Sequence, residues 1–199
     1  MSNQDRSNTT KKSTVYVALI TAIAIIIGSV ILGLGGQNPK TVITFKTNVG
    51  EIVINAESNK AAKTVAAISK LAQENYFDNT ICHRLTTEGI FVLQCGDPTG
   101  TGTGGPGFTL PDENLPAAAE NNYPAGTVAM ANSGPNTSGS QFFLVYQDTT
   151  LGPNYTIWGT ITSGLDILQT IASAGVVDGG TDGAPLKGVT IESTKVTIS

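Results

Sequence analysis

The sequence predicts a mainly β domain, either a closed β-barrel or a β-sandwich with two helices capping its ends, preceded by one membrane-spanning helix. Three observations carry this prediction. An uncharged run of 23 residues lies near the amino terminus, short β-type runs separated by glycine-rich joints fill the rest, and only two stretches have helical spacing. The remaining 160 or so residues suffice for one domain with an ordinary core.

The uncharged run extends from Thr14 to Gly36. About 20 apolar residues cross a bilayer as a helix, whereas the apolar part of a cleaved signal peptide spans only about 7–15 residues. The length favours a retained transmembrane anchor over 14–36, although cleavage stays open. Because Lys11 and Lys12 precede the run, residues 1–13 are predicted as a cytoplasmic tail. Residues 37–40 are then a linker, and 41–199 a domain outside the cell membrane.

Charge and cysteine content limit the function classes. Residues 1–40 hold four basic residues and one acidic residue and so have a net charge of +3. Because the net charge of the whole chain is −4, the remaining residues have a net charge of −7. An acidic domain without a basic stripe is a poor nucleic-acid binder. Cys82 and Cys95 are the only cysteines; a disulfide in an oxidising compartment and two free thiols fit equally well. No histidine, cysteine and carboxylate set has metal-ligand spacing, so no metal or cofactor is expected.

The elements of the domain follow from the pattern of apolar residues. Residues 41–55 alternate on either side of Asn48-Val49-Gly50, which predicts a hairpin. The stretch "NKAAKTVAAISKLAQENY" predicts a helix ending near Asn75, and "GLDILQTIASAG" predicts a second one closed by Gly175. The final "GVTIESTKVTIS" predicts one or two strands. Further short β-type runs lie at 80–85, 90–95, 127–131, 141–146 and 155–161.

The sequence context excludes two common kinds of site, a glycine-rich phosphate-binding loop and a nucleophile activated by histidine. The loop "GDPTGTGTGGPG" matches G-x-G-x-x-G, but the prolines of "PGFTLPDENLP" follow it where a phosphate-binding helix would have to begin. His83, the only histidine, adjoins Arg84 in a predicted strand, so the two side chains face opposite sides and His83 is interpreted as structural. No base is then left to activate a nucleophile.

A different set of side chains remains. Arg84, Phe91 and Gln94 lie in one segment, and "AMANSG" and "GSQFF" adjoin two other predicted strands. Together they offer a guanidinium, phenylalanines, side-chain amides and exposed backbone near glycines. Such a set holds an extended peptide, with the apolar floor taking a side chain and the amides taking its backbone.

The motifs "YFDNTICHR", "FVLQCGDPTGTGTGG", "AGTVAMANSGPNTSGSQFFLVY" and "YTIWG", in this order, resemble those of cyclophilin-type peptidyl-prolyl cis-trans isomerases, in particular membrane-anchored bacterial ones of the Gram-positive kind. The resemblance implies a closed eight-stranded antiparallel β-barrel capped by two α-helices. It also implies an isomerase without cofactor that assists folding by rotating X-Pro bonds in exported proteins, its partners being their proline-containing segments. Two non-catalytic alternatives are a module that binds such segments and a scaffold that uses its acidic face.

The resemblance also assigns residues. Arg84 becomes the catalytic arginine that stabilises the twisted amide, assisted by Phe91, Gln94 and Asn132. The substrate-binding residues are Val92, Gly102, Ala131, Ser133, Gln141, Phe143, Leu151 and Tyr155.

Among the positions that depart from the family pattern, three change the walls of the pocket or the contact with cyclosporin. Tyr155 replaces a histidine but keeps an aromatic wall, and Val92 replaces a methionine and shortens one wall of the pocket. Thr150 falls where many members have the tryptophan that contacts cyclosporin, so binding of that drug is expected to be weakened.

Overall fold

The domain begins with the predicted hairpin. The structure, a computed structural model, describes residues 39–199. Strands β1 (Thr41–Thr47) and β2 (Gly50–Ala56) pair antiparallel from Thr41 opposite Ala56 to Thr47 opposite Gly50. The turn between them consists of Asn48 and Val49, as the alternation on either side of these residues predicts.

Eight further strands join this hairpin in one antiparallel sheet: β3 (Thr80–Ile81), β4 (Arg84–Thr86), β5 (Val92–Cys95), β6 (Thr127–Met130), β7 (Phe142–Val145), β8 (Ile157–Ser163), β9 (Asp182–Gly183) and β10 (Thr190–Ile198). Their order is β3-β10-β1-β2-β8-β6-β7-β5-β4-β9.

The predicted closed barrel of eight strands is therefore wrong in both count and closure. The edge strands β3 and β9 of the described sheet do not pair with each other. The predicted run 80–85 is divided, because β3 pairs with β10 whereas β4 pairs with β5 and β9. Cys82 and His83 lie between the two short strands and belong to neither.

The sheet is nevertheless strongly curled. Four strand-to-strand steps separate β1 from β7, which in a flat sheet amount to about 19 Å. The ring centroids of Phe45 on β1 and Phe142 on β7 are only 5.1 Å apart. The sheet thus wraps around a main core that also contains the fully buried Trp158 of β8.

Two helices pack against this core and end near the residues that the sequence indicates. Helix α1 (Ala62–Gln73) buries Val65 and Ile68, and α2 (Leu165–Ala174) buries Leu168 and Ile171. None of the helices described in residues 39–199 is long and apolar enough to cross a membrane. The predicted tail over 1–13, the predicted anchor over 14–36 and the first half of the linker lie outside the described residues.

The central strands are buried on both faces. On β7, Phe142 and Leu144 belong to the main core, whereas Phe143 and Val145 belong to a second, smaller cluster on the opposite face of the sheet. Such strands consist of continuous apolar residues rather than alternating ones. The second cluster carries the candidate site.

The structure shows whether the two cysteines are bonded, which their spacing in the sequence leaves open. Cys82 and Cys95 form a disulfide, and both residues are buried within the main core. The bond joins the segment just before β4 to the end of β5. The two strands that carry Arg84 and Gln94 are therefore linked covalently.

Candidate functional site

A cavity of about 200 Å³ opens on the face of the sheet opposite the main core. Apolar and aromatic side chains line it together with three polar ones, and the rings of Phe143 and Tyr155 meet edge-to-face with centroids 5.5 Å apart. The nine lining residues are Arg84, Ile90, Val92, Gln94, Ala131, Asn132, Phe143, Leu151 and Tyr155. Eight of these nine are residues that the sequence predicts for the site.

The guanidinium of Arg84 is held on two sides. Arg84 and Gln94 face each other across β4 and β5, and Arg84 Nη1 donates to Gln94 Oε1 at 3.4 Å. Arg84 Nε and Nη2 donate to Oδ1 and Oδ2 of Asp182, each at 2.7 Å. The hydrogen bond to Asp182 raises the pKa of Arg84 and lowers that of Asp182, so both groups stay charged. Sequence reasoning missed Asp182.

Two side-chain amides continue this network away from Arg84. Gln94 Nε2 donates to Gln141 Oε1 at 2.8 Å, and Gln141 Nε2 donates to the carbonyl oxygen of Gly104 at 2.9 Å. Each amide nitrogen thus donates its hydrogen bond to the next residue of the network. The oxygen of Gln94 is therefore left facing Arg84.

Gly104 belongs to a loop that is organised around Asp97. This fully buried carboxylate accepts hydrogen bonds from four backbone N–H groups, at distances between 2.6 and 3.1 Å. The donors are Thr99, Thr101, Gly102 and Gly104. Burial raises the pKa of Asp97, but the hydrogen bonds outweigh this effect and hold the pKa well below its usual range. Because these N–H groups bind Asp97, they are not free to bind a phosphate, which agrees with the sequence analysis.

A second cavity of about 550 Å³ borders the first and shares Gln94, Ala131 and Asn132 with it. Three predicted substrate-binding residues line only this second cavity, namely Gly102, Ser133 and Gln141. The loop that contributes Thr103 to Thr109 lines it too, and none of these seven residues is among the predicted site residues. The two cavities together form a groove.

Asn132 lies where the two cavities meet. Its side-chain Nδ2 donates to the carbonyl oxygen of Asn154 at 2.8 Å, and its Oδ1 accepts from the N–H of Gly134 at 3.2 Å. Its own backbone N–H and C=O make no hydrogen bond within residues 39–199. This backbone is therefore available to pair with an extended chain in the groove.

Phe91 lines neither cavity, although the resemblance places it at the site. Side chains alternate along a strand, so Val92 and Gln94 face the groove while Phe91 packs beside the main core, with its ring centroid 6.0 Å from that of Tyr146. Ile90, which sequence reasoning missed, faces the groove instead. The sequence could have indicated Ile90, because it lies two residues before Val92 and alternate residues of an extended segment share one face. Phe91 lines a separate cavity of about 840 Å³ beside α2, which includes no other predicted site residue.

Tyr123 supports the aromatic wall and was also missed. It is fully buried, and its hydroxyl oxygen accepts a hydrogen bond from the N–H of Tyr155 at 3.1 Å. Its ring lies 6.1 Å from that of Phe143. Tyr123 thus fixes two of the rings that line the first cavity.

His83 does not line the groove. Its ring approaches Gly102, and both ring nitrogens are buried without a hydrogen-bond partner within the described part of the chain. Burial lowers the pKa of His83, and Asp97 offsets this only in part. Neither cavity of the groove therefore contains a histidine base.

Comparison with known proteins agrees with this geometry. The family model described as "Cyclophilin type peptidyl-prolyl cis-trans isomerase/CLD" matches residues 42–196. A "Probable peptidyl-prolyl cis-trans isomerase B" of Mycobacterium tuberculosis is 49% identical over 162 residues, which cover 76% of this chain and 53% of the relative. The chain thus spans about half the length of this curated relative.

Two further similarities cover their counterparts almost completely. A "Peptidyl-prolyl cis-trans isomerase-like 1" of Aspergillus fumigatus is 38% identical over 160 residues, which cover 78% of this chain and 95% of the relative. The crystal structure of a cyclophilin type peptidyl-prolyl cis-trans isomerase of Cryptosporidium parvum in the presence of the dipeptide Ala-Pro matches with a TM-score of 0.68 and 28% identity, covering 78% of this chain and 98% of that one.

Proposed function

Because the chain belongs to the family of cyclophilin-type peptidyl-prolyl cis-trans isomerases, we propose that it catalyses cis-trans rotation about X-Pro bonds in polypeptides. The cyclophilin-type family predicted from the sequence motifs is confirmed. The observation that carries the proposed activity is one guanidinium fixed at a small cavity that Val92, Phe143 and Leu151 also line, while the backbone of Asn132 at the junction of the groove makes no hydrogen bond within residues 39–199.

The reaction makes and breaks no covalent bond. The barrier to rotation about a peptide bond is roughly 18–20 kcal/mol, and a catalyst lowers it by binding the twisted amide better than either planar form. In the proposed complex the proline ring occupies the cavity between Val92, Phe143 and Leu151. The backbone of Asn132 then pairs with the substrate chain on one side of the proline, while the other side turns.

Arg84 supplies the differential binding. As the amide twists, its nitrogen loses conjugation and becomes a better acceptor, so a hydrogen bond from the guanidinium strengthens towards the transition state. A charge-assisted hydrogen bond contributes about 1.5–3 kcal/mol, which corresponds to roughly 10- to 100-fold in rate. Burial of the proline ring and the fixed substrate backbone supply the rest.

We also propose that the enzyme is anchored in the cell membrane by residues 14–36 and acts on exported proteins. The uncharged run in the sequence supports an anchor, and the buried disulfide between Cys82 and Cys95 is typical of domains outside the cytoplasm. Cyclosporin is proposed to bind weakly, because Thr150 is an exposed small residue at the position of the contacting tryptophan.

The proposed activity is tested with an Ala-Pro peptide whose cis and trans forms give separate NMR signals. We expect the purified full chain to accelerate their exchange by orders of magnitude, and Arg84→Ala to lose roughly 10- to 100-fold of kcat/KM. Arg84→Lys is the matched control, because it keeps the positive charge without the planar fork.

Two results would contradict the proposal. If the peptide binds but its exchange stays at the uncatalysed rate, the chain is a binding module for proline-containing segments. If Arg84→Ala accelerates cis-trans exchange of the peptide as much as the unchanged chain does, catalysis does not depend on Arg84.

A further inference from the structure

We propose that Asp182 is a positioning residue for the isomerase reaction, in that its carboxylate fixes the orientation of the Arg84 guanidinium before substrate binds. The inference rests on the proposed function for its catalytic consequence. The juxtaposition itself is a property of the free protein.

The contact is side-on and bidentate. Both carboxylate oxygens of Asp182 accept, one from Nε and the other from Nη2 of Arg84. Bidentate pairs fix the plane of the guanidinium as well as its position. With Nη1 donating to Gln94, three of the five N–H groups of an arginine are used and two remain for a ligand. Asp182 therefore orients the guanidinium and still leaves two of its N–H groups for a ligand.

The carboxylate is placed independently of its partner. Strand β9 pairs with β4, so that Asp182 lies opposite Thr86, and Thr87 N–H donates to Thr181 C=O at 2.8 Å beside this pair. On the other side, Val177 N–H donates to Ala184 C=O at 2.8 Å. Backbone hydrogen bonds thus hold this strand on both sides. We therefore expect it to keep its place when the side chain of Asp182 is shortened.

Stability does not explain the pair. The side chains of Arg84 and Asp182 are 40% and 54% exposed, and ion pairs with this exposure contribute little to folding. A bidentate contact made by the arginine that lines the cavity has a clearer effect on catalysis. Without it, Arg84 would have only the long hydrogen bond to Gln94.

The test compares Asp182→Asn with Asp178→Asn in the full chain. Both changes remove one negative charge from the same segment. Asp178 is exposed and has φ of 69°, which asparagine tolerates, and it makes no ion pair with Arg84. We expect Asp182→Asn to lower kcat by roughly 3- to 10-fold with KM nearly unchanged, since the guanidinium acts on the twisted amide. Asp178→Asn should keep both constants, and Asp182→Glu should recover part of kcat.

An NMR signal tests the orientation without activity. Arg6 and Arg84 are the only arginines of the chain, so an Arg6→Lys background leaves one Nε–H resonance. We expect this resonance to exchange slowly with water in that background and rapidly after Asp182→Ala. The amide of Thr87 should stay protected in both and so report that β9 is in place.

Slow exchange of the Arg84 Nε–H in Asp182→Ala, or an unchanged kcat in Asp182→Asn, would overturn the proposal. If no variant and not even the unchanged chain accelerates peptide exchange, the proposed function fails. The Nε–H measurement would still decide whether Asp182 orients Arg84. If Asp182→Ala disturbs the Thr87 amide, the Asp182→Asn variant decides by the same signal.

Discussion

Replacement of Gly104 by alanine tests whether the loop beside the groove is built around Asp97. An added Cβ at Gly104 would collide with Oδ1 of Asp97 and lie 2.8 Å from the Thr99 hydroxyl. The carboxylate cannot move aside freely, because four backbone N–H groups hold it. The loop itself must therefore shift at residue 104.

The magnitude follows from the bond that this shift breaks. Gly104 N–H donates to Asp97 Oδ2 at 3.1 Å, and a hydrogen bond to a charged group contributes about 1.5–3 kcal/mol. Alanine restricts the unfolded chain and returns about 0.4–1 kcal/mol. We expect a net loss of about 1–2 kcal/mol in the free energy of unfolding. Since Gly104 also accepts from Gln141, kcat/KM should fall by up to roughly tenfold.

Gly105→Ala is the matched control. No atom lies within 4 Å of a Cβ at Gly105, and its φ is outside the left-handed region, so this variant should be as stable as the unchanged chain or slightly more so. Urea unfolding is followed by the fluorescence of Trp158, the only tryptophan and fully buried. If both alanine variants unfold at the same urea concentration and keep full activity, the tight packing of Gly104 against Asp97 is refuted.

Three further predictions concern the disulfide, the histidine and the drug. Replacing Cys82 and Cys95 together by alanine opens the loop of 14 residues from 82 to 95 and should lower the free energy of unfolding by about 3 kcal/mol. A reducing agent should then lower the free energy of unfolding of the unchanged chain but not that of the double variant. Because burial lowers the pKa of His83 below 6.5, the unfolded chain binds its proton first, so stability should fall as the pH drops below about 6.5 and stay flatter in His83→Gln. If urea titrations show that the unchanged chain and His83→Gln lose the same free energy of unfolding between pH 7 and pH 5, this prediction is contradicted. Thr150→Trp should strengthen inhibition by cyclosporin, and an unchanged inhibitor concentration would remove Thr150 as the cause of weak binding.

The strand β5 shows how far local pattern predicts the site. Along "FVLQ", strict alternation groups Val92 with Gln94 and sets Phe91 on the other face, whereas the resemblance adds Phe91 to the floor of the groove. The structure follows the alternation, because a strand in a curled sheet has one face towards the main core and one towards the groove. The same rule indicates Ile90, two residues before Val92, as a lining residue.

Long-range pairing accounts for what the sequence did not reveal. Asp182 is 98 residues from Arg84, and a strand of two residues has too few positions for a periodic pattern to indicate it. The division of the run 80–85 is equally invisible, because it depends on β3 finding β10 and β4 finding β5 and β9. The local pattern leaves a closed barrel and a sandwich open, and the closed eight-stranded barrel comes from the resemblance rather than from these contacts.

Contacts on the two faces of β5 help to hold the proposed catalytic arginine in one orientation in the free protein. Cys95 anchors the strand to the segment before β4 on the core face, while Gln94 on the opposite face bonds to Arg84 and Gln141. An arginine that rotated freely would have to give up about 2 kcal/mol of rotamer freedom in the transition state, a factor of roughly 30 in rate. Because Gln94 and Asp182 already hold the guanidinium, most of this entropy is lost during folding instead. Asp182, which lines neither cavity of the groove, is thus expected to affect kcat more than KM.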